Sequence, residues 1–404
     1  MILLLVTPNL FFLLHSAKRI GRKTLSSRLI KQILKTMLYS RYSDKKIYIL
    51  TSMWFADGGE GPQIDSFSSL TLLDPYMSFD SQLDCLIDNL KEVTDSEGRP
   101  VFIRFFLSDP ANQEETLRRR MQYDCPVSVI GQAPLNGTKI AAMVWCRPKA
   151  TVTCMGDRIH KVSERGIDEY WYTCGVSDAG DSYSQAVSLL DDLSSKLADN
   201  GLSLEDNCIR TWLYVQNIDV NYKGVVDGRN TVFDCHGLTR DTHFIASTGI
   251  EGRTGNHANI VMLDAVAVSG EGVNVKYLHG LSHLNRTSEY GVRFERGSLV
   301  ELPDRRYVFI SGTASIDNKG KILFDGDIER QTGRMIENVK VLLSEAGCGF
   351  DKLGSIIVYL RDSADYAVVK RMIEKRFPEC PYVIVQAPVC RPGWLVEMEC
   401  IAIF

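Results

Sequence analysis

The chain has 404 residues, of which 45% are apolar and 24% are charged, and its formal net charge is −4. These values are typical of a globular protein with two to four folded units and exclude a disordered or fibrous chain. Because Lys and Arg are scattered after residue 50, a general affinity for nucleic acid is excluded as well.

Residues 1–45 form an N-terminal segment of different composition. Residues 1–14 are apolar but interrupted by a Pro-Asn pair, and they are too few to cross a bilayer. Residues 18–46 are basic, with Asp44 as their only acid. A signal peptide would carry its positive charge before the apolar run. We therefore expect a disordered or misassigned segment outside the fold, with a membrane-surface segment as the alternative.

The rest of the chain contains series of elements that follow one order, which predicts an internal repeat. The first series, 46–150, is degenerate; its predicted elements are strand 46–54, helix 79–93, strand 101–109, helix 112–121 and strands 126–134 and 139–146. The second series is 166–270; its predicted elements are strand 169–176, helix 181–201, strand 208–215, helix 219–235 and strands 242–250 and 259–268.

The third series, 300–404, is the clearest and follows a connector, 271–299. Its predicted elements are strands 306–315 and 321–324, helix 328–346, strand 354–362, helix 363–377 and two closing strands. The order is ββαβαββ. The repeat is supported by three helices that start around Gln82, Gln185 and Gln331, and by the tripeptide QAP, which occurs twice.

The closing strand of the third series, VEMECIAI, carries two acids on one face, Glu397 and Glu399. Laid over VMLDAVAV in the second series, Glu399 matches Asp264 and Glu397 matches Met262; the first-series strand IAAMVWC has no acid. Glu397 is therefore unique among the repeats, which favours a functional role. The alternative is a solvated edge residue. An irregular turn, 390–393, precedes the strand, and such turns often contain site residues.

The third series resembles the RidA family, also called YjgF or UK114. The resembling segments are ISGTASI (310–316), ENVKVLLSEAG (337–347) and VEMECIAI (396–403). The resemblance implies an α/β (α+β) fold with chorismate-mutase-like units, which in RidA proteins form trimers with a cleft at each subunit junction. Three tandem RidA-like units in one chain are therefore expected to form an intramolecular pseudo-trimer, whose three clefts need not be equivalent.

Residues 207–404 resemble a more specific family, the chorismatases, which cleave chorismate in secondary metabolism and are built from RidA-like units. The resembling blocks occur in the same order: RTWLY (210–214), GRNTVF (228–233), ASTGI (246–250), YG (290–291), FERGSL (294–299), ISGTASI (310–316) and APVCRPGWLVEMEC (387–400). The resemblance implies an enzyme that protonates the enolpyruvyl ether of chorismate without a metal or other cofactor. Its products would be pyruvate and an aromatic or dihydroxy-cyclohexadiene acid.

The resemblance also implies catalytic roles. Glu397 is the expected acid, and burial beside Trp394 and Leu395 would raise its pKa so that it is protonated before reaction. Cys390, together with Gly312 in the SGT strand, marks the branch of the family that makes 3-hydroxybenzoate, which is the expected product. The alternative for Cys390 is a small buried hydrophobic residue. No histidine lies nearby in sequence to activate it as a nucleophile.

Substrate binding requires cations, because chorismate is a dianion and arginine can bind a carboxylate with two parallel hydrogen bonds. Arg210, Arg229 and Arg296 lie within the resembling blocks and are expected to bind the substrate. Tyr214 and Tyr290 would orient the ring through their hydroxyl groups. Structural ion pairs or solvated positions for the arginines, and core packing for the tyrosines, stay open as alternatives.

Two departures keep other functions open. Residues 279–289 do not resemble the stretch before YG in chorismatases. The arginine that RidA imine deaminases carry in their penultimate strand is missing, with Ile384 in that region. The alternatives are a RidA-like imine or enamine deaminase and a non-catalytic protein that binds a small metabolite.

The remaining expectations concern metals, partners and location. The eleven cysteines include no CxxC pair and no zinc-type spacing, so we expect no metal, no disulfide framework and a cytoplasmic location. We expect a small-molecule substrate and neither a nucleic acid nor a membrane as partner. A monomer is expected, because three fused units already satisfy the interfaces that separate RidA chains form by association.

Overall fold

The computed structural model describes residues 38–56, 63–121 and 123–404, which form three units with a six-stranded sheet each. The first unit contains β1 (Leu38–Ser43), β2 (Ile47–Ala56), β3 (Gln63–Leu72), α1 (Phe79–Glu97), β4 (Pro100–Leu107), α2 (Pro110–Arg120), β5 (Val127–Gly131) and β6 (Ile140–Cys146). The second contains β7 (Thr151–Gly156), β8 (Ile159–Glu164), β9 (Ile167–Gly175), α3 (Ser182–Ala198), α4 (Leu204–Asn207), β10 (Cys208–Val215), α5 (Ile218–Cys235), β11 (Ala246–Glu251) and β12 (Val261–Gly270). The third contains β13 (Asn274–Leu278), β14 (Gly297–Glu301), β15 (Arg306–Ala314), α6 (Ile328–Glu345), β16 (Leu353–Leu360), α7 (Tyr366–Arg376), β17 (Tyr382–Gln386) and β18 (Val396–Ile403).

The three sheets have the same strand order, which confirms the prediction of three repeated RidA-like units with an α+β fold. The orders are β1-β2-β3-β6-β4-β5, β7-β8-β9-β12-β10-β11 and β13-β14-β15-β18-β16-β17. In each sheet the two strands around the second long helix pair in parallel, and the others are antiparallel. The closing strand of each unit is therefore central, with neighbours on both sides.

The structure places some strands differently from the sequence prediction. Each unit has three strands before its first helix, so the order is βββαβαββ. Residues 321–324, for which we expected a strand, contribute only an isolated bridge between Ile316 and Ile322. Two strands, β13 and part of β14, lie in the expected connector 271–299, and β7 and β8 precede residue 166. The sheets thus extend beyond the predicted unit bounds, and the division at those bounds stays a proposal.

Of the N-terminal segment 1–45, residues 38–43 form the edge strand β1 instead of lying outside the fold. A short, polar edge strand gives little periodic signal, which is why the sequence did not indicate it. Residues 1–37 lie outside the described residues, and the expectation for them stays a prediction.

A buried glutamine confirms the repeat at the level of single hydrogen bonds. Helices α1, α3 and α6 each begin after an N-cap residue whose side chain accepts a backbone N–H bond; these are Ser78, Asp181 and Asp327. Four residues later each helix has a fully buried glutamine, which are Gln82, Gln185 and Gln331. In every case the glutamine oxygen accepts a backbone N–H bond from the segment just before the closing strand. The same side chain therefore ties helix and closing strand together in each unit.

The units contact one another in a closed ring. Equivalent bridges join the first unit to the second (Gly131 with Arg253), the second to the third (Ile250 with Val389) and the third to the first (Val385 with Pro134). One hydrophobic core cluster includes residues from all three units. Each junction therefore places the closing-strand side of one unit against the parallel strand pair of its neighbour.

Candidate active site

Five of the predicted site residues line one cavity between the second and third units. They are Arg229, Arg296, Gly312, Cys390 and Glu397. The second unit contributes α5 and β11 to the wall, and the third contributes β15, β18 and the loop before β18. The cavity has a volume of about 40 Å³, room for a few water molecules.

Glu397 is buried in the middle of a sheet and not at a solvated edge. It lies opposite Ala314 on β15 and Tyr359 on β16, and only 5% of its surface is exposed. Burial raises the pKa of Glu397 to about 8, with the charge of Glu399 acting in the same direction and nearby arginines opposing it. The carboxyl group is therefore mostly protonated at neutral pH and can act as an acid.

Gly312 provides the space that the Glu397 carboxyl group occupies. Strand β15 has a bulge between Ile310 and Thr313, and Gly312 lies within it. A Cβ atom at this position would overlap Oε1 of Glu397 and lie 3.0 Å from Cγ2 of Thr248. Any other residue would displace the carboxyl group, so glycine is required here for close approach.

Two buried arginines give the cavity a positive charge. Arg229 and Arg296 are 2% and 3% exposed, and their guanidinium groups lie 5.9 and 5.4 Å from the centre of the Phe294 ring. Arg296 also donates hydrogen bonds of 3.3 Å to the backbone and side-chain oxygens of Asn285. Arginine stays protonated when buried, so with a neutral Glu397 the cavity favours an anion.

Helix α5 carries Arg229 to the cavity because glycine allows the helix to pack closely. A Cβ atom at Gly228 would lie 2.7 Å from the carbonyl oxygen of Tyr183 on α3. The residue before Arg229 in the block GRNTVF therefore fixes the distance between the two helices.

Cys390 lines the same cavity as a neutral thiol. Burial raises its pKa to about 12, the neighbouring Glu397 adds to the shift, and a hydrogen bond with Tyr222 opposes it. This agrees with the expectation that Cys390 is not a thiolate nucleophile. Tyr222 is a cavity residue that the sequence did not indicate; its ring lies 2.9 Å from the position of a Cβ atom on Gly249.

The loop between Cys390 and β18 is held in place by the repeated glutamine. The side chain of Gln331 donates to the carbonyl oxygen of Gly393 and accepts from the N–H of Leu395. The indole N–H of Trp394 donates to the carbonyl oxygen of Ser315, and Arg391 lies 4.8 Å from the centre of the Trp394 ring. These contacts place Trp394 and Arg391 in the cavity wall.

Arg210 does not lie in the wall of this cavity, and its role in substrate binding stays a prediction. Its guanidinium group is 1% exposed and donates to Glu399 at 2.8 Å and to the hydroxyl group of Ser311 at 3.1 Å. It lines instead a second cavity of about 50 Å³ together with Glu399 and the aromatic rings of several units. The alternative of a structural ion pair thus describes Arg210, because its donors are bound to protein groups.

The two predicted tyrosines are not shown to reach the cavity. Tyr214 lies on β10 opposite Met262, and it does not line the cavity; the residue opposite Glu397 is Tyr359. Tyr214 occupies the equivalent position in the second unit, and its role in substrate binding stays a prediction. Tyr290 ends a short 3-10 helix (Thr287–Tyr290); its side chain lies outside the described part of the structure.

Within residues 38–56, 63–121 and 123–404, no group of three or more His, Cys, Asp and Glu side chains is arranged to hold a metal ion. Among the helices of the same ranges, none combines the length and the apolar character of a membrane span.

Comparisons with known proteins agree with this architecture. The family model "Endoribonuclease L-PSP" matches residues 299–404. A RutC family protein of Pyrococcus abyssi is 36% identical over 98 residues, covering 24% of this chain and 77% of that protein. The 3-aminoacrylate deaminase RutC of Acinetobacter baylyi is 30% identical over 97 residues, covering 24% and 77%.

One solved structure matches most of the chain. The crystal structure of a chorismatase superposes with a TM-score of 0.60 and 18% sequence identity, covering 75% of this chain and 93% of that chain. This likeness shows a shared fold across more than one unit. At the level of the fold it confirms the predicted resemblance to a chorismatase.

Proposed function

This chain belongs to the RutC family, and from that premise we infer that the cavity between its second and third units is a site for a small organic anion. The cavity contains two buried arginines beside one buried carboxyl group with a raised pKa. This arrangement suits an anionic substrate that must receive a proton.

We propose that the reaction is the cleavage of chorismate, with release of pyruvate. The observation that supports it most is the buried Glu397 carboxyl group, which lies against Gly312 in a cavity with Arg229 and Arg296. Chorismate has two carboxylates for the arginines and an electron-rich methylene carbon for the acid. The shared fold with a chorismatase supports the same choice. The cavity is small, so binding requires its lining side chains to move apart.

The proposed first step is proton transfer from Glu397 to the methylene carbon of the enolpyruvyl ether. This forms a methyl group and leaves an oxocarbenium ion, which the low-dielectric cavity and the new Glu397 carboxylate stabilise. In the intramolecular route the ring hydroxyl oxygen attacks the neighbouring ring carbon that bears the ether oxygen, that carbon–oxygen bond breaks, and pyruvate leaves with the ether oxygen. The resulting ring oxide loses one proton and rearranges to the aromatic product. Chorismate then yields pyruvate and 3-hydroxybenzoate with no net consumption of water, and the released proton restores Glu397. In the hydrolytic route water captures the cation, and the second product is a dihydroxy-cyclohexadiene acid.

We propose 3-hydroxybenzoate as the product because Cys390 and Gly312, the pair that marks this branch in the resembling family, both line the cavity. A neutral thiol beside Glu397 is a poor hydrogen-bond partner for water. The thiol therefore favours the intramolecular route over capture of the oxocarbenium ion by water.

A second candidate reaction is enamine deamination, which is favoured by the match to 3-aminoacrylate deaminase RutC. An enamine also has an electron-rich carbon that an acid such as Glu397 could protonate. The arginine pair favours chorismate, since a second carboxylate would pair with the second guanidinium group. A non-catalytic role would leave Glu397 as a hydrogen-bond donor to a bound metabolite.

The test is to incubate the purified protein with chorismate and to measure pyruvate and aromatic acids. We expect pyruvate and 3-hydroxybenzoate in equal amounts, and neither from Glu397→Gln. Met262→Leu, at the equivalent position of the second unit, is the matched control and should retain the rate. Absence of pyruvate from the wild-type protein would refute the proposal. Turnover of 3-aminoacrylate would then favour deamination, and saturable binding without turnover would favour a binding protein.

We also propose that the chain acts as a monomer in the cytoplasm. The closed ring of three units supports the first point, because every junction is already occupied within one chain. Sedimentation equilibrium should give the mass of one chain, 45.4 kDa.

A further inference from the structure

Glu399 is a buried residue close to Glu397, the proposed acid. Both of its carboxyl oxygens accept hydrogen bonds. It accepts from Arg210 at 2.8 Å, from the indole N–H of Trp212 at 2.9 Å and from the hydroxyl group of Thr248 at 2.7 Å. Arg104 approaches its other oxygen at 3.6 Å. Both carboxyl oxygens therefore have partners, and two of these partners are arginine side chains.

These donors come from different units of the ring. Arg210, Trp212 and Thr248 belong to the second unit, and Arg104 belongs to β4 of the first. Arg104 is 3% exposed and also pairs with Asp264 of the second unit at 3.3 Å. The first unit, which contributes no residue to the cavity wall, thus contributes a charge to the cluster directly behind it.

Geometry connects Glu399 to Glu397 in two ways. The two residues are separated by one position on β18, so their side chains share a face and their Cα atoms lie about 7 Å apart. In addition, the Thr248 hydroxyl group that donates to Glu399 accepts the backbone N–H of Gly312 at 2.9 Å. Gly312 is the residue on which the Glu397 carboxyl group lies. The hydrogen bonds of Thr248 therefore fix both Gly312, on which the Glu397 carboxyl group lies, and Glu399, which lies next to Glu397.

The charge next to Glu397 has to be compared with the other groups that face it. These are Arg210 on β10, Arg229 on α5, Arg296 before β14, Cys390 and Arg391 in the loop before β18, Tyr222 on α5 and Tyr359 on β16. The arginines favour an ionised Glu397, and Glu399 is the neighbouring negative charge that opposes them. Without that negative charge, burial alone would have to keep the proton on Glu397.

We propose that Glu399 is a positioning residue of the active site: bound to arginines from the first and second units and to Thr248, it lies beside the Glu397 carboxyl group and holds it in place over Gly312. This inference rests on the proposed function for its catalytic meaning, but its physical content is the position of the Glu397 carboxyl group and the proton that this group carries. All three units then take part in the chemistry of one cavity.

The direct test is a carbon NMR titration of protein labelled at the glutamate side-chain carboxyl carbon. The signal of Glu397 is identified by its absence from Glu397→Gln. In Glu399→Gln we expect the midpoint of Glu397 to fall by about one pH unit or more, since a like charge has been removed. Glu399→Asp, which keeps the charge, should leave the midpoint close to the wild-type value. Asp264→Asn is the matched control, because it removes the carboxylate on the other side of Arg104. It should also leave the midpoint of Glu397 close to the wild-type value.

Activity gives a second measurement. If the wild-type protein releases pyruvate, the pH at which the rate falls on the alkaline side should move down in Glu399→Gln by the same amount as the NMR midpoint. A purely structural role would lower the rate at every pH and leave this midpoint unchanged. If the wild-type protein releases no pyruvate, the proposed function fails while the NMR titration still decides the role of Glu399.

A double variant covers the case in which Glu399→Gln does not fold because Arg210 loses its partner. Glu399→Gln combined with Arg210→Met removes both charges of the pair. Because Glu399 affects Glu397 more strongly than Arg210 does, the midpoint should still fall, by less than in the single variant. An unchanged or raised midpoint in a folded variant of either kind would overturn the proposal.

Discussion

The cavity between the second and third units has a counterpart between the first and second. There the wall is formed by α2, β9 and the segment before β12, and it includes Glu114, Arg118, Cys174 and Met262. This counterpart is wider, about 390 Å³ against about 40 Å³. The backbone arrangement is the same at both junctions, so the difference in chemistry comes from a few side chains.

The key difference is the pair formed by the bulge and the closing strand. Gly312 and Glu397 form this pair at one junction, and Cys174 and Met262 occupy the equivalent positions at the other. Cys174 has a φ of 54°, a backbone conformation that costs free energy for a residue other than glycine. Its thiol accepts from the N–H of Val129 and donates to the carbonyl oxygen of Val127, both on β5. An acid at position 262 would therefore lack the space that Glu397 has.

What the two junctions share is equally informative. Glu399 and Asp264 occupy equivalent positions, and Arg104 contacts both. A buried acid on the closing strand is thus common to the two junctions, whereas a second acid on that strand occurs at one of them. Glu399 and Asp264 therefore connect the units, whereas Glu397 is specific to the cavity for which we propose the reaction.

The strongest test of this comparison is the same substitution at both junctions. Glu397→Gln should lower the rate of pyruvate release by about 10²- to 10⁴-fold, the usual contribution of a general acid. Met262→Gln should leave the rate unchanged, measured by coupling pyruvate to NADH oxidation. Circular dichroism should show both variants folded. A loss in Met262→Gln equal to that in Glu397→Gln would remove the distinction between the junctions.

The next largest effect is expected when the bulge residue of the junction between the first and second units is introduced at the junction between the second and third. Gly312→Cys places a side chain where the Glu397 carboxyl group lies, so the acid must move by an ångström or more. A displacement of this size costs about 10²-fold in rate. The reverse change, Cys174→Gly, should not affect turnover. Full activity of Gly312→Cys would show that Glu397 does not act from the observed position.

Substitution of an arginine should weaken substrate binding at the junction between the second and third units only. Arg229→Met or Arg296→Met removes a charged hydrogen-bond donor, typically about 1.5–3 kcal/mol, and should raise KM by roughly 10- to 100-fold. Arg118→Met, at the junction between the first and second units, should leave KM unchanged. Steady-state kinetics at fixed pH measures both. An unchanged KM in both cavity variants would exclude these arginines as carboxylate-binding groups.

The raised pKa of Glu397 predicts how stability depends on pH. Since the folded-state pKa, about 8, exceeds the unfolded value of about 4.3, the folded state gains stability from the protonated group at low pH. This contribution is complete below about pH 4 and is lost as pH rises to about 8. The free energy of unfolding of the wild type should therefore fall relative to that of Glu397→Gln by several kcal/mol between pH 5 and 9, at most about 5. Denaturant titrations at several pH values measure this difference, and parallel curves would contradict it.

The smallest effect on rate is expected at Cys390, where the product should change instead. Cys390→Gln places a hydrogen-bonding amide beside Glu397, which can hold water for capture of the cation. We expect pyruvate release within about tenfold of the wild type and a shift from 3-hydroxybenzoate towards the dihydroxy acid, measured by chromatography. Cys235→Gln, at an exposed position, is the control. An unchanged product ratio would exclude a role in product choice.

Glu397 could be singled out from the sequence because the three repeats can be compared with one another. Only the third closing strand has an acid at the position of Glu397, and the strand registers place Met262 and Ala141 at the equivalent positions. Gly312, Cys390, Arg229 and Arg296 followed from the resembling blocks, and the structure brings them together. The fold was predictable because the helices and central strands have strong periodicity.

Arg210 and several strands were harder to predict for physical reasons. Strand β10 is buried along its whole length, so alternation does not show which of its faces meets the cavity. Strand β3 has the sequence QIDSFSSLTL, and its buried serines resemble a loop composition. Tyr222 lies on a helix whose periodicity indicates packing only. A single sequence contains no signal for contacts between units, and these contacts decide the roles of such residues.

Arg104 has a consequence for anyone who wishes to dissect this chain. Its partners Asp264 and Glu399 belong to the two other units, so a truncated product that lacks the first unit would leave two buried acids without this cation. Leaving a buried charge without its partner typically costs about 3–5 kcal/mol. Expression of the C-terminal portion alone should therefore yield insoluble or proteolysed material, unless the missing portion is supplied in trans.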